Sequence, residues 1–258
     1  MGLSNSTLQF HELSAAGIEK GIPPIIRVSY ESGWSKYSLR RGFELFLDGP
    51  NDEPMYTLDF EKGLRGDIVL HSGPSVDSPK LAVSGMESYF DKEYLIRLPP
   101  ISGIAPQDQF LYWDSGLTTC FWFDTQVGHG PDQRIEGFEW RRSRGPEVES
   151  VGQSRRGGLK LVRLGSTEGH GYGYSSDGKE VVAVWANARS FSSFSAVGEL
   201  QFLGSGATGE LGQLWALMAV MSCMSIWQKE ARDHARSSST NGGGPVAVSG
   251  AGATGTGC

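Results

Sequence analysis

The stretch LGQLWALMAVMSCMSIW, residues Leu211 to Trp227, is the only long helix that the sequence predicts. Its apolar side chains cover every face of the helix, so other apolar residues must enclose it all round. At about 1.5 Å per residue it spans about 25 Å, which fits a closed barrel and approaches the length of a membrane-spanning helix. Small or polar residues interrupt the run and favour the barrel over the alternative of a tail-anchored span: Gly212, Gln213, Ser222 and Ser225.

Short segments rich in branched and aromatic residues precede this helix, and turn-forming residues separate them, a pattern typical of β-strands. About a dozen strands are predicted, at residues 25–30, 43–47, 55–60, 67–72, 80–84, 94–98, 117–123, 138–143, 159–164, 171–175, 181–186 and 199–203. A sheet of this size tends to close on itself because closure removes its exposed edges. The sequence therefore predicts a mainly β fold, a closed antiparallel barrel of about twelve strands around a buried C-terminal α-helix.

The domain boundaries follow from changes in composition. Residues 25–236 are predicted to form one barrel domain, with the central helix at about residues 209–231. Residues 1–24 are polar and weakly patterned, and we expect an N-terminal arm that is extended or forms a short helix. Residues 237–258 are rich in Gly and Ser and have almost nothing to pack, so they are predicted to be a disordered tail.

Composition limits the class of protein and its location. The charged and hydrophobic fractions, 20% and 38%, are those of a soluble globular protein, and a net charge of -6 argues against general nucleic-acid binding. Cys120, Cys223 and Cys258 have no metal-ligand spacing, and the two in apolar runs are expected to be reduced core thiols. The chain does not begin with a basic region followed by an apolar stretch, the pattern of a secretory signal. We therefore expect an intracellular, cytoplasmic protein, with peripheral attachment to membranes left open.

The order of a dozen strands and one near-terminal apolar helix resembles the tubby C-terminal-like superfamily, which includes tubby, the LURP-one-related proteins and the phospholipid scramblases. The resemblance covers roughly Ile25 to Trp227 and rests on this layout, on the helix GELGQLWALMAVMSCMSIW and on strand segments such as GFEWRRS at 137–143. It implies a helix that fills the barrel and a function in binding phosphoinositides or acting at membranes. No stretch aligns with tubby's phosphoinositide-binding lysine and arginine motif, so no binding residue carries over.

A basic stretch is the candidate binding site. Between Arg134 and Arg163 the chain has eight basic residues against four acidic ones. Because arginine matches phosphate oxygens with paired donors, we expect this surface to bind anionic lipid headgroups. The expected binding residues are Arg141, Arg142, Arg144, Arg155, Arg156, Lys160 and Arg163. The alternative is a solvated hairpin with local Glu/Arg pairs.

The first six residues, MGLSNS, fit the N-myristoylation pattern with Gly2 as the acceptor. One myristoyl chain holds a protein to a membrane only weakly, so a basic surface would supply a useful second signal. Acylation of Gly2 would therefore reinforce lipid binding by the basic stretch.

Residues Gly204 to Gly209, GSGATG, match the dinucleotide-binding pattern G-x-G-x-x-G. No second strand follows the helix, so the βαβ unit of that fold is missing. We expect instead a flexible turn that carries the chain from the barrel wall into its axis, with Thr208 as the N-cap of the helix. The sequence has no H-E-x-x-H and no G-x-S-x-G, so no catalytic residue, metal or cofactor is expected.

Together these patterns predict a non-enzymatic barrel that binds anionic phospholipid or phosphoinositide. The alternative is a scaffold that binds a protein partner and has no lipid affinity. An enzyme that binds a nucleotide at the Gly204 to Gly209 turn is less favoured than either. The expected partners are thus a membrane lipid or a protein, and not a nucleic acid.

Overall fold

Twelve antiparallel strands close into a barrel in the computed structural model, which describes residues 11–30, 42–86, 93–100, 106–115, 119–152, 157–188 and 196–240. Each strand pairs with its neighbours in sequence, and the first strand pairs with the last. The strands are β1 (Ile25–Tyr30), β2 (Phe43–Asp48), β3 (Pro54–Phe60), β4 (Ile68–His71), β5 (Lys80–Gly85), β6 (Glu93–Leu98), β7 (Gln107–Ser115), β8 (Thr119–Val127), β9 (Arg134–Ser143), β10 (Gly158–Arg163), β11 (Glu180–Asn187) and β12 (Ala196–Phe202). The predicted fold class is confirmed.

Side chains alternate between the inside and the outside of the barrel, as the period of a strand requires. In β2, for example, Phe43, Leu45 and Leu47 are buried, whereas the residues between them are partly exposed. The inward side chains of all strands form one large core together with the C-terminal helix. The alternation in the sequence therefore determines which face of each strand meets the helix.

Among the described residues, three α-helices accompany the barrel: α1 (Pro146–Gly152), α2 (Gly204–Ala207) and α3 (Gln213–Thr240). Helix α3 passes through the barrel, and four consecutive residues, Met218 to Met221, are each at most 1% exposed. A surface helix would expose at least one residue in each turn, so the prediction of a helix enclosed on every face is confirmed. In the described parts of the chain, no helix has the length and apolar character needed to cross a membrane.

The two mouths of the barrel are distinguished by the course of α3. At the upper mouth, where α3 begins, the Gly128 N–H donates a hydrogen bond to the Leu211 carbonyl, with an N···O distance of 3.2 Å. At the lower mouth, where α3 leaves, the Trp227 ring packs against the rings of Tyr30, Phe43 and Phe60, with centroids 6.5, 6.3 and 5.8 Å apart. Aromatic rings therefore surround the helix as it leaves the core.

Several predicted boundaries differ from the structure. Helix α3 begins at Gln213 and continues to Thr240, so residues 237–240 are helical rather than part of a disordered tail, and residues 241–258 lie outside the described part. Strand β7 was not predicted, whereas the segment predicted as a strand at 171–175 contributes only a single bridge, between Tyr174 and Glu180. Thr208 does not cap α3, because the helix begins five residues later.

The two core cysteines differ from each other. Cys223 on α3 is a free, fully buried thiol, and burial raises its pKa well above the ordinary value. Cys120 on β8 is disulfide-bonded, and its partner lies outside the described residues. The expectation of reduced core thiols therefore holds for Cys223 only.

Candidate functional site

Two of the predicted lipid-binding arginines are exposed at the lower mouth. The Arg142 side chain, near the end of β9, is 55% exposed, and its Nη2 donates a hydrogen bond to Glu230 Oε1 on α3 at 2.7 Å. Arg144 lies just beyond β9 and is also exposed. An exposed ion pair contributes little free energy, so an anionic ligand can replace Glu230 as the partner of Arg142 at small cost.

Two other predicted residues are held by carboxylates of the barrel wall. The Arg141 side chain is 11% exposed and forms ion pairs with Glu139 and Asp177, each at 2.9 Å. The Lys160 side chain is 15% exposed, and its Nζ lies 3.5 Å from Glu147 Oε1. Of these three ion pairs, Arg141–Glu139 is a local Glu/Arg pair of the kind that the alternative left open by the sequence predicted.

Arg163, the last residue of β10, lies at the upper mouth, whereas Arg142 lies at the lower mouth. Arg163 is 8% exposed. Its guanidinium contacts three carboxylates, with N···O distances of 2.6 Å to Glu136, 3.4 Å to Glu180 and 3.2 Å to Glu210. The hydrogen bond to Glu136 is the main cause that raises the pKa of Arg163, and the same bond lowers the pKa of Glu136. Arg163 is therefore a structural ion-pair centre, and we do not assign it to a ligand site.

The remaining predicted sites lie outside the described residues. These are Arg155 and Arg156, between α1 and β10, and the acylation candidate Gly2. The basic stretch thus divides into exposed arginines at the lower mouth, paired residues in the wall and a buried network at the upper mouth. The charge count of the sequence could not separate these groups, because some of their partners, such as Asp177, Glu210 and Glu230, lie outside the stretch.

The Gly204 to Gly209 segment forms the short helix α2 and the turn after it. The Ser205 N–H and hydroxyl donate hydrogen bonds to the Glu180 carboxylate at 2.7 and 2.9 Å, so a side chain of the protein already occupies the place where a phosphate would sit. A Cβ at Gly206 would lie 2.4 Å from the Val182 carbonyl oxygen and 2.6 Å from the Trp215 ring. Close packing therefore explains why residue 206 is a glycine, and nucleotide binding is not needed to explain it.

Arg232 on α3 is a residue that the sequence analysis missed. It is 9% exposed, and its Nη2 lies 3.2 Å from both Tyr94 Oη and Met86 Sδ. Its Nε is buried without a hydrogen-bond partner. Burial raises the pKa of Tyr94 to about 12, so this phenol stays neutral beside the guanidinium. In the sequence, the polar run KEARDHAR only indicated the end of the helix.

A second missed feature is a row of aromatic rings on the outer face of β7 and β8. Phe110 and Tyr112 are 5.9 Å apart with an interplanar angle of 27°, and Tyr112 and Trp122 are 5.9 Å apart at 26°. Trp122 is 38% exposed. Acidic residues lie at neighbouring strand positions, and arginines neutralise two of them: Arg97 lies 2.6 Å from Asp108, and Arg141 lies 2.9 Å from Glu139.

An open cleft at the upper mouth is lined by His129, Asp132, Arg134 and Glu210. The His129 Nε2 lies 2.9 Å from the Gly209 carbonyl oxygen, where it serves the turn before α3. In the described ranges, no group of His, Cys, Asp and Glu side chains could hold a metal ion.

Comparison of the chain with protein families, with curated proteins and with solved structures finds no match.

Proposed function

We propose that this chain is a non-enzymatic barrel protein that binds anionic phospholipid or phosphoinositide through its lower mouth. The observation that carries the proposal is the exposure of Arg142 and Arg144 beside the point where α3 leaves the barrel. Lys62 and Arg65 are also exposed at this mouth, where the Gly66 carbonyl accepts a hydrogen bond from Gln228 of α3 at 2.8 Å. The resemblance to tubby-like proteins supports the same ligand class.

We expect the protein to lie at an anionic membrane surface, in reversible contact with lipid. Each basic residue near an anionic surface contributes about 1 kcal/mol, so a few exposed arginines give weak, salt-sensitive attachment. Acylation of Gly2 would add a second anchor, and two weak anchors together produce stable attachment.

The test is flotation of the purified, unacylated protein with vesicles of phosphatidylcholine alone, with phosphatidylserine added, or with phosphoinositide added. We expect binding only to anionic vesicles, and weaker binding at physiological than at low salt. Reversing both charges, Arg142→Glu with Arg144→Glu, should weaken binding by about tenfold or more. Absence of binding to every vesicle would contradict the proposal.

As a matched control, the charges of two arginines elsewhere on the surface are reversed in the same way. The Arg27 and Arg134 side chains are 49% and 48% exposed, close to the exposure of Arg142. The double variant Arg27→Glu with Arg134→Glu should therefore bind vesicles as the unaltered protein does. Equal loss in both double variants would indicate net charge rather than a site.

The second candidate function is a scaffold that binds a protein partner, and the aromatic row supports it. Its rings are spaced by 5.9 Å, close to the length of two residues of a polyproline helix at about 3.1 Å each. Aromatic surfaces bind such peptides by packing against their proline rings. We therefore expect the row to bind a peptide rich in proline.

The test titrates such a peptide against the intact protein. Tyr112→Ala and Trp122→Ala should abolish binding, whereas Tyr172→Ala, at a Tyr that is 68% exposed, is the control. If the peptide fails to bind, or if all three variants bind equally, the row is only a stabilising ladder of the sheet.

A further inference from the structure

The two most buried arginines among the described residues have opposite surroundings. Arg163 and Arg232 are 8% and 9% exposed. Arg163 has carboxylates of three glutamates around it, whereas no carboxylate of a described residue lies within 4.0 Å of the Arg232 guanidinium. Arg232 therefore brings a guanidinium group into the lower mouth without a carboxylate beside it.

The nearest acids along α3 are held by other cations. Glu230 pairs with Arg142 and Asp233 pairs with Lys229, each at 2.7 Å. Lys229 also lies over the Trp113 ring, 5.7 Å from its centroid. Arg232 is therefore the unpaired cation of this helical turn.

The groups that do touch Arg232 are neutral. Nη2 contacts the Tyr94 hydroxyl and the Met86 sulfur, and the buried Nε has no partner. Residue 232 lies eight positions before the end of α3, beyond the reach of the negative helix terminus. A buried charge without a counter-charge is costly, so nothing in the described structure compensates Arg232.

We infer that Arg232 is the centre of an anion site that takes a phosphate group, with the Tyr94 hydroxyl beside it. Arginine donates paired hydrogen bonds to phosphate oxygens. The phosphate can belong to a lipid headgroup or to a free phosphate compound. The lipid form of this inference rests on the function proposed above, and the free form does not.

The test measures thermal unfolding of the full chain in inorganic phosphate and in chloride at equal ionic strength, followed by flotation with phosphoinositide vesicles. Phosphate should raise the Tm of the unaltered protein, and Arg232→Met should abolish that rise. The Tm of Arg232→Met in chloride should not fall, because methionine retains the packing and removes an uncompensated charge. Arg232→Lys, which keeps the charge but loses the fork, should bind phosphate about tenfold more weakly.

The control is Arg27→Met, which removes an exposed arginine from another part of the surface and should leave the phosphate effect intact. No phosphate-specific rise in the unaltered protein, or an equal rise in Arg232→Met, would overturn the anion site. Vesicle binding that needs Arg142 and Arg144 but not Arg232 would overturn the lipid form of this inference and leave the proposed function standing. A phosphate effect that needs Arg232, without vesicle binding, would support the site for free phosphate and remove the lipid function.

Discussion

Two serines fix the position of α3 inside the barrel. The Trp140 ring N–H donates a hydrogen bond to Ser222 Oγ at 2.9 Å, and Ser84 and Ser225 share a hydrogen bond of 2.6 Å between their hydroxyls. Each helix serine also donates to a carbonyl of the preceding turn, Ser222 to Ala219 and Ser225 to Met221. The two serines that interrupt the apolar run of the sequence therefore bond the helix to the barrel wall.

The Trp140–Ser222 bond is expected to contribute measurably to stability. Ser222→Ala leaves the buried indole N–H without a partner and should lower the free energy of unfolding by about 1–3 kcal/mol. Trp140→Phe removes the donor as well as part of the ring, and the double variant should lose less than the sum of the two single changes. Denaturant unfolding of all four proteins measures this coupling, and additive losses would contradict it.

The Arg163–Glu136 pair should make stability depend on acid pH. The folded pKa of Glu136 is lowered by the hydrogen bond from Arg163, so its stabilisation is present above the ordinary glutamate pKa of about 4.3 and is lost as the pH falls through the folded pKa. Glu136→Gln should be less stable than the unaltered protein at pH 7, and the difference should shrink below about pH 4. Thermal unfolding between pH 7 and 3 measures it.

The control for this pH dependence is Glu53→Gln, at an exposed glutamate outside the described ion pairs. Its Tm should follow that of the unaltered protein at every pH. A pH-independent difference between Glu136→Gln and the unaltered protein would show that the charge of Glu136 does not matter.

At the scale of elements, the described part of the N-terminal arm is an integral layer of the barrel wall. The Ser14 N–H donates a hydrogen bond to the Lys80 carbonyl at 2.8 Å, and Lys20 Nζ donates one to the Ser72 carbonyl at 3.1 Å. Leu13 packs on an apolar cluster outside the barrel, at Val69, Val83 and Leu95. The predicted short helix is a 3-10 turn at Ile18–Lys20.

Gly17 allows the arm to lie this close to the wall. Its φ is +90°, and a Cβ there would come within 2.8 Å of Ser72 Cβ. Gly17→Ala should detach the arm and speed amide exchange over residues 11–24 while the barrel stays folded. Gly21→Ala is the matched control, because its φ is +68° with no atom within 4 Å of the added Cβ. Equal amide exchange in both variants would mean that backbone strain alone, and not the contact with Ser72, controls the attachment of the arm.

The two errors in strand prediction have separate causes. Strand β7, QDQFLYWDS, begins with polar residues, and Phe110 and Tyr112 alternate with the buried Leu111 and Trp113, so both faces are apolar in its centre. In the segment 171–175, Gly171 and Gly173 have φ of +94° and +88°, which breaks the extended backbone that the tyrosines suggested. Pairing with neighbouring strands determines β7, and the left-handed glycines prevent a strand at 171–175. Neither effect is visible in local composition.

At the scale of the whole molecule, the part of α3 inside the barrel has no side that tolerates charge, because every residue from Trp215 to Ile226 is buried. Ala219 is fully buried, and Ala219→Glu should abolish the cooperative unfolding transition because no space or counter-charge is available. Ala235→Glu, on the same helix but exposed, should leave the transition unchanged. Circular dichroism during heating measures both variants, and a folded Ala219→Glu would show that α3 can leave the barrel axis.

The fold of the whole molecule also explains how much of the site could be predicted from the sequence. The pattern of apolar residues predicted the barrel and its central helix, because both depend on local alternation. The positive charges of Arg142 and Arg163 look alike in the sequence, but closure of the barrel places one beside Glu230 of the helix and the other among glutamates from three segments. Arg232 acquired its burial from β5 and β6, which are more than 130 residues away.

Closure of the barrel by its first and last strands has a consequence for synthesis of the chain. Strand β1 cannot acquire both neighbours until β12 has left the ribosome, and the helix that fills the interior is translated after β12. At about 5–20 residues per second, the first strand waits on the order of 10–40 s for its last partner. Throughout that interval the inward aromatic side chains have no helix to cover them, so nascent chains depend on protection from aggregation until translation reaches the final helix.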